Sequence, residues 1–278
     1  MKSHISLSIC IVCYNTQPDQ LLELIDSLSV AAQSLKKKFP LTSIPVYVVD
    51  NSSSTENLRN FTDGESAGFN QQELELRYIG GHGNIGYGSA HNLILDRISS
   101  DFHLILNPDV IIDKESLVNA ITVLSNDTNV IGVSPHAENI VGEKQYLCKR
   151  YPSVFTLFIR GVLTKNKERF FVKRLSNYEM RELSQKEDSK GIPLISGCFM
   201  LLDTQVLKIV GGFNESYFLY FEDFDLSIRI RKYGDLVYSP KVRIKHFGGE
   251  AAKKGLGHIF LFVRSGIRFF STHGWRFF

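Results

Sequence analysis

The first half of the chain alternates short apolar runs with longer stretches of helical period. "LSICIVCYN", "VYVVD", "LELRYI", "FHLILN" and "VIGVSP" are of strand length. Between them lie "DQLLELIDSLSVAAQSLKKKF", apolar at helical spacing with a basic last turn, a second helix from about Gly86 to Ile98, and "KESLVNAITVL". Strand–helix alternation carries each crossover over a face of the sheet. The pattern therefore predicts a Rossmann-like, mostly parallel α/β sheet flanked by helices. Ligands of such sheets bind beyond the carboxyl ends of the strands.

The second half restarts after a heavily charged stretch of mixed sign, residues 164–190, read as a mobile, partly helical insertion. Beyond it come the strand "PLISGCFMLLD", the helix "EDFDLSIRIRKYG" ending at Gly234, the strand "LVYSPKVRIKHF" and a last helix from about Gly255 to His273. The expected organisation is one domain in two parts, 1–135 and 136–278, with the charged insertion and a basic, aromatic C-terminal helix in the second.

Several classes are disfavoured by composition. A net charge of +3 over 278 residues is too small to argue for nucleic acid. No apolar run approaches the roughly 18 residues that span a bilayer. The start, "MKSHISLSICIVCYN", runs straight into a strand without a small-residue cleavage site, so a cytoplasmic chain is expected. Cys10 and Cys13 form a C-x-x-C inside that strand, where residues three apart face opposite sides. Buried free thiols in a reducing compartment are expected, also at Cys148 and Cys198.

Gly81–His82–Gly83–Asn84–Ile85–Gly86 is a literal G-x-G-x-x-G between a strand and a helix, the context of a dinucleotide site. That fingerprint belongs to the first strand–turn–helix, however, and here that turn reads "CYNTQP", without glycine. An NAD-binding oxidoreductase stands as an alternative. The glycines read better as a place where backbone passes close to a nucleotide or a neighbouring loop.

Three strands deliver polar groups at their ends: Asp50; Asn107, Pro108 and Asp109; and His246. Asp50 could cap the "NSSS" turn, Asp109 could open a helix, and His246 could be a plain histidine. Jointly, two acids at strand ends favour a cleft. A carboxylate there suits Mg²⁺ or Mn²⁺, which take few protein ligands and complete their shells with phosphate or water; His246 could add a nitrogen. The densest acid cluster is "YFEDFDLSIR". On a helix Glu222, Asp225 and Arg229 share one face and Asp223 points away. These acids could simply open the helix, or a carboxylate among aromatics could serve as a general base.

In order along the chain, "NIGYGSAHN", "NPD", "FLYFEDFDLSIR" and "HFGG" resemble the motifs of glycosyltransferase family 2, most closely its rhamnosyltransferase-like members. The resemblance runs from "SICIVCYN" to "KHFGG". It implies a GT-A fold, with nucleotide-sugar binding in residues 1–135 and acceptor binding and catalysis in 136–278. It further implies that Asp50 contacts the base or ribose, that Asn84 and Gly86 line the nucleotide pocket, and that Asn92 adds a polar contact. Asp109 would hold the metal on the donor diphosphate, with Asn107 at the first position of a D-x-D-like motif. His246 would be a second metal or phosphate ligand, Asp223 of the Glu222–Asp223 pair the general base, and Arg229 a diphosphate contact. The implied reaction is inverting transfer of one sugar, with dTDP-rhamnose as a family-level leaning. The implied acceptor is a lipid-linked glycan of bacterial surface polysaccharide such as O-antigen or capsule. Two departures stand out. Asn107 replaces an acid and weakens the case for a cation. The Q-x-x-R-W of the processive membrane synthases is absent, which points to single transfers. A sugar-nucleotide pyrophosphorylase would want a Gly- and Lys-bearing phosphate loop after the first strand, and a non-catalytic nucleotide- or carbohydrate-binding module would need no base.

From Ala251 to Phe278 there is no acid, but there are Lys253, Lys254, Arg264, Arg268 and Arg276. Ile259, Phe262, Val263, Gly266 and Phe270 recur at helical spacing. Two readings follow: a helix packed on the domain, or peripheral docking to the inner-membrane surface.

Overall fold

The computed structural model describes residues 5–40, 43–53, 58, 73–162, 169–248 and 255–278. At its centre lie four parallel strands, β1 (Leu7–Cys13), β2 (Ile44–Asp50), β3 (Leu74–Ile79) and β4 (Phe102–Leu106), in the order β3-β2-β1-β4. A short β5 (Val110–Ile112) follows β4, then β6 (Val130–Glu138). Next come the two-residue strands β7 (Lys144–Gln145), β8 (Cys148–Lys149), β9 (Ser189–Lys190) and β10 (Leu194–Ile195). β11 (Phe199–Asp203) inserts antiparallel between β4 and β6, and β12 (Asp235–His246) runs parallel to β6 and antiparallel to β5. The sheet is thus mixed and mostly parallel on its N-terminal side. Strands from both parts of the chain share it, and β6 itself spans residues 130–138.

Helices cover its faces: α1 (Pro18–Lys38), α2 (Tyr87–Asn92), α3 (Ser116–Asn126), α4 (Val154–Val162), α5 (Val172–Tyr178), α6 (Thr204–Ile209), α7 (Glu222–Ile230) and α8 (Leu256–His273). α1 starts on a proline, whose missing N–H costs nothing in a first turn, and ends on Lys36, Lys37 and Lys38, which complement the helix dipole. It buries Leu21, Leu24, Ile25, Leu28 and Leu35 in the main core with Leu117 and Ile121 of α3. β1 is buried along its whole length; Cys13 joins this core and Cys10 the cluster on the other side of the sheet, and all four cysteines are free and buried.

Two expectations change here. Residues 164–168 lie outside the described residues, but the rest of the charged stretch is folded on the core. Leu175, Tyr178 and Met180 are buried, and Ser189 and Lys190 pair with β12. Glu179 ties it down further, meeting Arg181 at 2.6 Å and Lys149 and Arg160 at 3.8 Å. The long strand expected over "PLISGCFMLLD" is broken: β10 pairs with β8 in a separate small sheet, and the ladder resumes only at Phe199.

Because β2 and β3 build outward from β1 on one side and β4 on the other, the strand order reverses between β1 and β4. A crevice opens there, outside the carboxyl ends of the strands.

Candidate active site

Asp50 closes β2 beside Cys13 at that crevice and is fully buried. Its Oδ1 accepts the Ser52 N–H at 2.9 Å and its Oδ2 the Tyr78 hydroxyl at 3.1 Å, so it does hold the turn after β2. The next residue, Asn51, donates from Nδ2 to the Gly86 carbonyl at 3.0 Å and ties this turn to the glycine loop.

Across the crevice, Asp109 follows β4, and its carbonyl accepts the Phe247 N–H at 2.9 Å. That bond brings the end of β12 alongside. His246 Nε2 stands 3.4 Å from Asp109 Oδ1. Gln145 fixes the imidazole: its Nε2 donates to the carbonyls of His246 and Gly248, both at 3.1 Å, so its Oε1 faces His246 Nδ1 at 2.7 Å. An amide oxygen only accepts, so Nδ1 carries a proton, and in the neutral ring this leaves Nε2 as the nitrogen free to bind a ligand beside Asp109. A Cβ on Gly248 would lie 2.1 Å from Asp109 Oδ2 and 3.1 Å from His246 Nε2, so only glycine leaves this cradle open. A carboxylate and a tautomer-locked imidazole fit a hard divalent cation of the Mg²⁺ or Mn²⁺ kind. Among the described residues no cluster of three or more His, Cys, Asp or Glu forms, so phosphate or water would complete its shell.

The acid pair opens α7. Tyr220 and Phe221, just before it, are both left-handed, at φ 71° and 65°, a conformation bulky residues adopt only when their surroundings enforce it. The enforcement is visible. Tyr87 N donates to the Phe218 carbonyl at 3.0 Å, Ser265 Oγ to the Leu219 carbonyl at 2.7 Å, and Phe221 packs among Phe224, Phe262 and Phe269. Glu222 is left 6 % exposed, and its Oε2 has no hydrogen-bond partner among the described residues. Burial, and then the charge of Asp223, hold its carboxyl well above the usual range. Burial also raises Asp223, but here the charged form is compensated: Oδ2 accepts the Gly197 N–H at 3.0 Å and Oδ1 the Phe224 N–H at 2.8 Å. Two adjacent carboxylates in one apolar turn thus divide the roles. The proton settles on Glu222 and the charge on Asp223.

The break between β10 and β11 serves this site. Gly197 gives its N–H to Asp223 and its carbonyl to the Tyr87 hydroxyl at 2.8 Å, and the Cys198 carbonyl accepts the Asn107 N–H at 3.0 Å. Residues 197 and 198 therefore join the acid pair to the Asn107–Asp109 turn. An Ser–Gly inside an apolar run was the available sequence signal.

Three side chains expected at the nucleotide also make bonds within the protein. Asn92 clamps Phe213 through both its N–H (2.9 Å) and its carbonyl (2.8 Å), holding the loop before the acid helix. Arg229 Nε bonds Asp225 at 2.7 Å and Nη1 bonds the Val210 carbonyl at 2.8 Å, so it buttresses α7, while Nη2 has no partner among the described residues. Asp225 is buried, and His273 Nε2 meets its other oxygen at 2.8 Å; Glu222 does not join that face. Asn84 accepts the Gly86 N–H at 3.1 Å within its own turn.

Gly86 resolves the glycine run. It has φ +95°, and a Cβ there would lie 2.5 Å from the Phe218 carbonyl, whereas Gly81 and Gly83 have nothing within 4 Å. β3 is the edge of the described sheet, away from the β1 turn where a dinucleotide fingerprint belongs. The required glycine lets the loop pass under the strained turn before the acid pair. Gly86→Ala is expected to cost about 2–4 kcal/mol in chemical unfolding, against about 1 kcal/mol for Gly83→Ala. Equal costs would mean that the Phe218 approach is not tight.

The chain is similar to known glycosyltransferases. The chain is 26% identical over 231 residues to the low-salt glycan biosynthesis hexosyltransferase Agl10 of Haloferax volcanii, covering 81% of this chain and 62% of that protein. It is 25% identical over 252 residues to an N-acetylglucosaminyl-diphospho-decaprenol L-rhamnosyltransferase of Mycobacterium tuberculosis, covering 86% and 75%. The solved structure of GalNAc-T7 with UDP, GalNAc and Mn²⁺ superposes with a TM-score of 0.69 at 15% identity, over 98% of this chain and 48% of that one, a likeness of GT-A fold. The sequence profile "Glycosyl transferase family 2" matches residues 8–210, from β1 through the crevice to α6, and the chain belongs to that family of glycosyltransferases.

Proposed function

We propose that the chain transfers a single sugar from a nucleotide-sugar donor to an acceptor hydroxyl with inversion, using Asp223 as general base. The observation that carries this reading is the junction at residues 197 and 198, which sets a charged Asp223 beside the Asn107–Asp109 turn. In the reaction Asp223 takes the proton of the acceptor hydroxyl as the oxygen attacks the anomeric carbon. The bond from that carbon to the diphosphate breaks on the opposite face, and the nucleoside diphosphate leaves. A divalent cation bound by Asp109 and His246 would neutralise the developing charge on the diphosphate. Asp50 and the Asn84–Gly86 turn would border the nucleotide, and Asn107 the donor.

The mycobacterial relative's name favours rhamnose as the transferred sugar, and dTDP-rhamnose is the donor proposed for it. The decaprenol-linked acceptor in the mycobacterial relative's name favours a lipid-linked acceptor; the proposed setting is surface polysaccharide synthesis on the cytoplasmic face of the membrane. Thermal unfolding with Mn²⁺ and UDP, dTDP, GDP or NAD, each with and without EDTA, tests the donor class. A ligand at a hundredfold excess over its Kd adds about 2.7 kcal/mol. A shift with dTDP that EDTA removes is expected. A shift with NAD alone, indifferent to EDTA, would overturn the reading.

A further inference from the structure

Of nineteen large apolar side chains exposed among the described residues, eleven fall in residues 158–172 and 256–278. On α8 the solvent-facing stripe is Leu256, Phe260, Val263 and Ile267, spaced four, three and four apart, from 52 to 85% exposed. The opposite face, Phe262, Ser265, Phe269 and His273, packs on the acid helix and its turn. The packed reading of this helix therefore holds for one face, and the other face, with Val263, is left exposed.

The stripe does not end with the helix. Past the helix, Trp275 and Phe277, 47 and 59% exposed, stack on each other at 5.7 Å, and Trp275 rests on the buried Phe270 at 5.4 Å, one turn after Ile267. The tail then pairs with α4: Val154 N donates to the Arg276 carbonyl at 2.8 Å and Phe155 N to the Phe277 carbonyl at 3.1 Å. Phe155 in turn touches Phe171 and Phe278. One surface thus runs from α8 through the tail to α4, with Phe158 58% and Phe278 87% exposed on it.

Its charge is one-signed. Residues 150–162, 170–174 and 255–278 carry seven Lys and Arg and no Asp or Glu, in a chain with 32 basic and 29 acidic residues. Glu182 and Glu179 meet Arg150 and Arg160 from a neighbouring loop. Arg264 and Arg268 flank the α8 stripe, and Arg276 lies over Tyr151.

We propose that this composite face lies on an anionic lipid bilayer, apolar rings entering the headgroup boundary and arginines meeting lipid phosphates. Apolar rows edged by cations are the pattern of elements lying in a membrane interface. A second copy would set arginine against arginine, and an uncharged apolar partner would leave the cations unanswered. Docked this way, α8 holds the bilayer with one face and the Glu222–Asp223 turn with the other.

Co-sedimentation of the full chain with phosphatidylglycerol and phosphatidylcholine vesicles, without substrate, tests this whatever the sugar donor. Binding to phosphatidylglycerol is expected to exceed that to phosphatidylcholine roughly tenfold and to weaken with salt. Phe260→Ser with Ile267→Ser, and separately Arg264→Glu with Arg268→Glu, should each lower it roughly tenfold with Tm unchanged. Wild-type protein that ignores phosphatidylglycerol, or variants that bind like wild type, would overturn the proposal. So would a wild-type dimer that these variants dissolve without any change in vesicle binding.

Discussion

Asp223→Asn is expected to lower kcat about 10³-fold while the Kd for donor nucleotide stays within about twofold. The amide keeps the shape but cannot take a proton from the acceptor. It can accept only one of the two N–H groups, from Gly197 and Phe224, that now hold the carboxylate. Glu222→Gln is the informative partner. Glu222 holds its proton in the folded chain, and an amide imitates a protonated carboxyl, so kcat should stay within about threefold of wild type. The sign of its stability effect follows from linkage. Unfolded, Glu222 ionises above the ordinary Glu value; folded, burial keeps it protonated. Its contribution is present below the unfolded pKa and lost as pH rises towards the folded one. Glu222→Gln should therefore gain stability over wild type increasingly from acid to neutral pH in urea unfolding. kcat/KM of the wild type should fall as acid protonates Asp223, whose pKa is itself raised by burial. An active Asp223→Asn with an inactive Glu222→Gln would assign the base to Glu222 instead.

How much of this was legible depended on whether one residue or several set the feature. α1 could be read from its own spacing, proline and lysines, and β1, β2 and β4 from runs that are buried throughout. Asp50, Asp109 and His246 were legible because parallel strands deliver their last residues to one edge. What sequence could not show was pairing at a distance. Asn92 and Phe213 are 121 residues apart, and Arg229 bonds Asp225 and the Val210 carbonyl, pairings that motif position does not reveal. The left-handed pair Tyr220–Phe221 has no local signal at all, since neither residue favours that region. It exists because α8 and the Gly86 loop close around it. Likewise Gln145 carries no motif, and its role appears only when β7 reaches the end of β12.

Gly248→Ala is expected to weaken Mn²⁺ binding about as much as Asp109→Asn, roughly 10–100-fold, although no proposed ligand is changed. The added methyl would fall 2.1 Å from Asp109 Oδ2. Asp109 has little room to yield, because its side chain is short and its carbonyl is fixed by Phe247 N. Its carboxylate must therefore rotate away from His246. Gln145→Leu should act from the other side: with Nδ1 no longer held, the imidazole is free to turn, and a loss of roughly 10–100-fold in metal affinity is again expected. Gln145→Leu also gives up its bonds to two carbonyls and to His246, so its Tm without metal should fall, and the titration is made at a temperature where both variants are folded. Titration of Mn²⁺ followed by its electron paramagnetic resonance signal reads affinity directly, without turnover. If both variants bind Mn²⁺ as wild type does, the cation is not held between Asp109 and His246. The neutral Asn107 then becomes informative, because it would mark a site where the diphosphate is met without a metal. If both lose Mn²⁺ together, an amide at the first position of the motif is tolerated because a histidine from the far end of the chain supplies the second ligand.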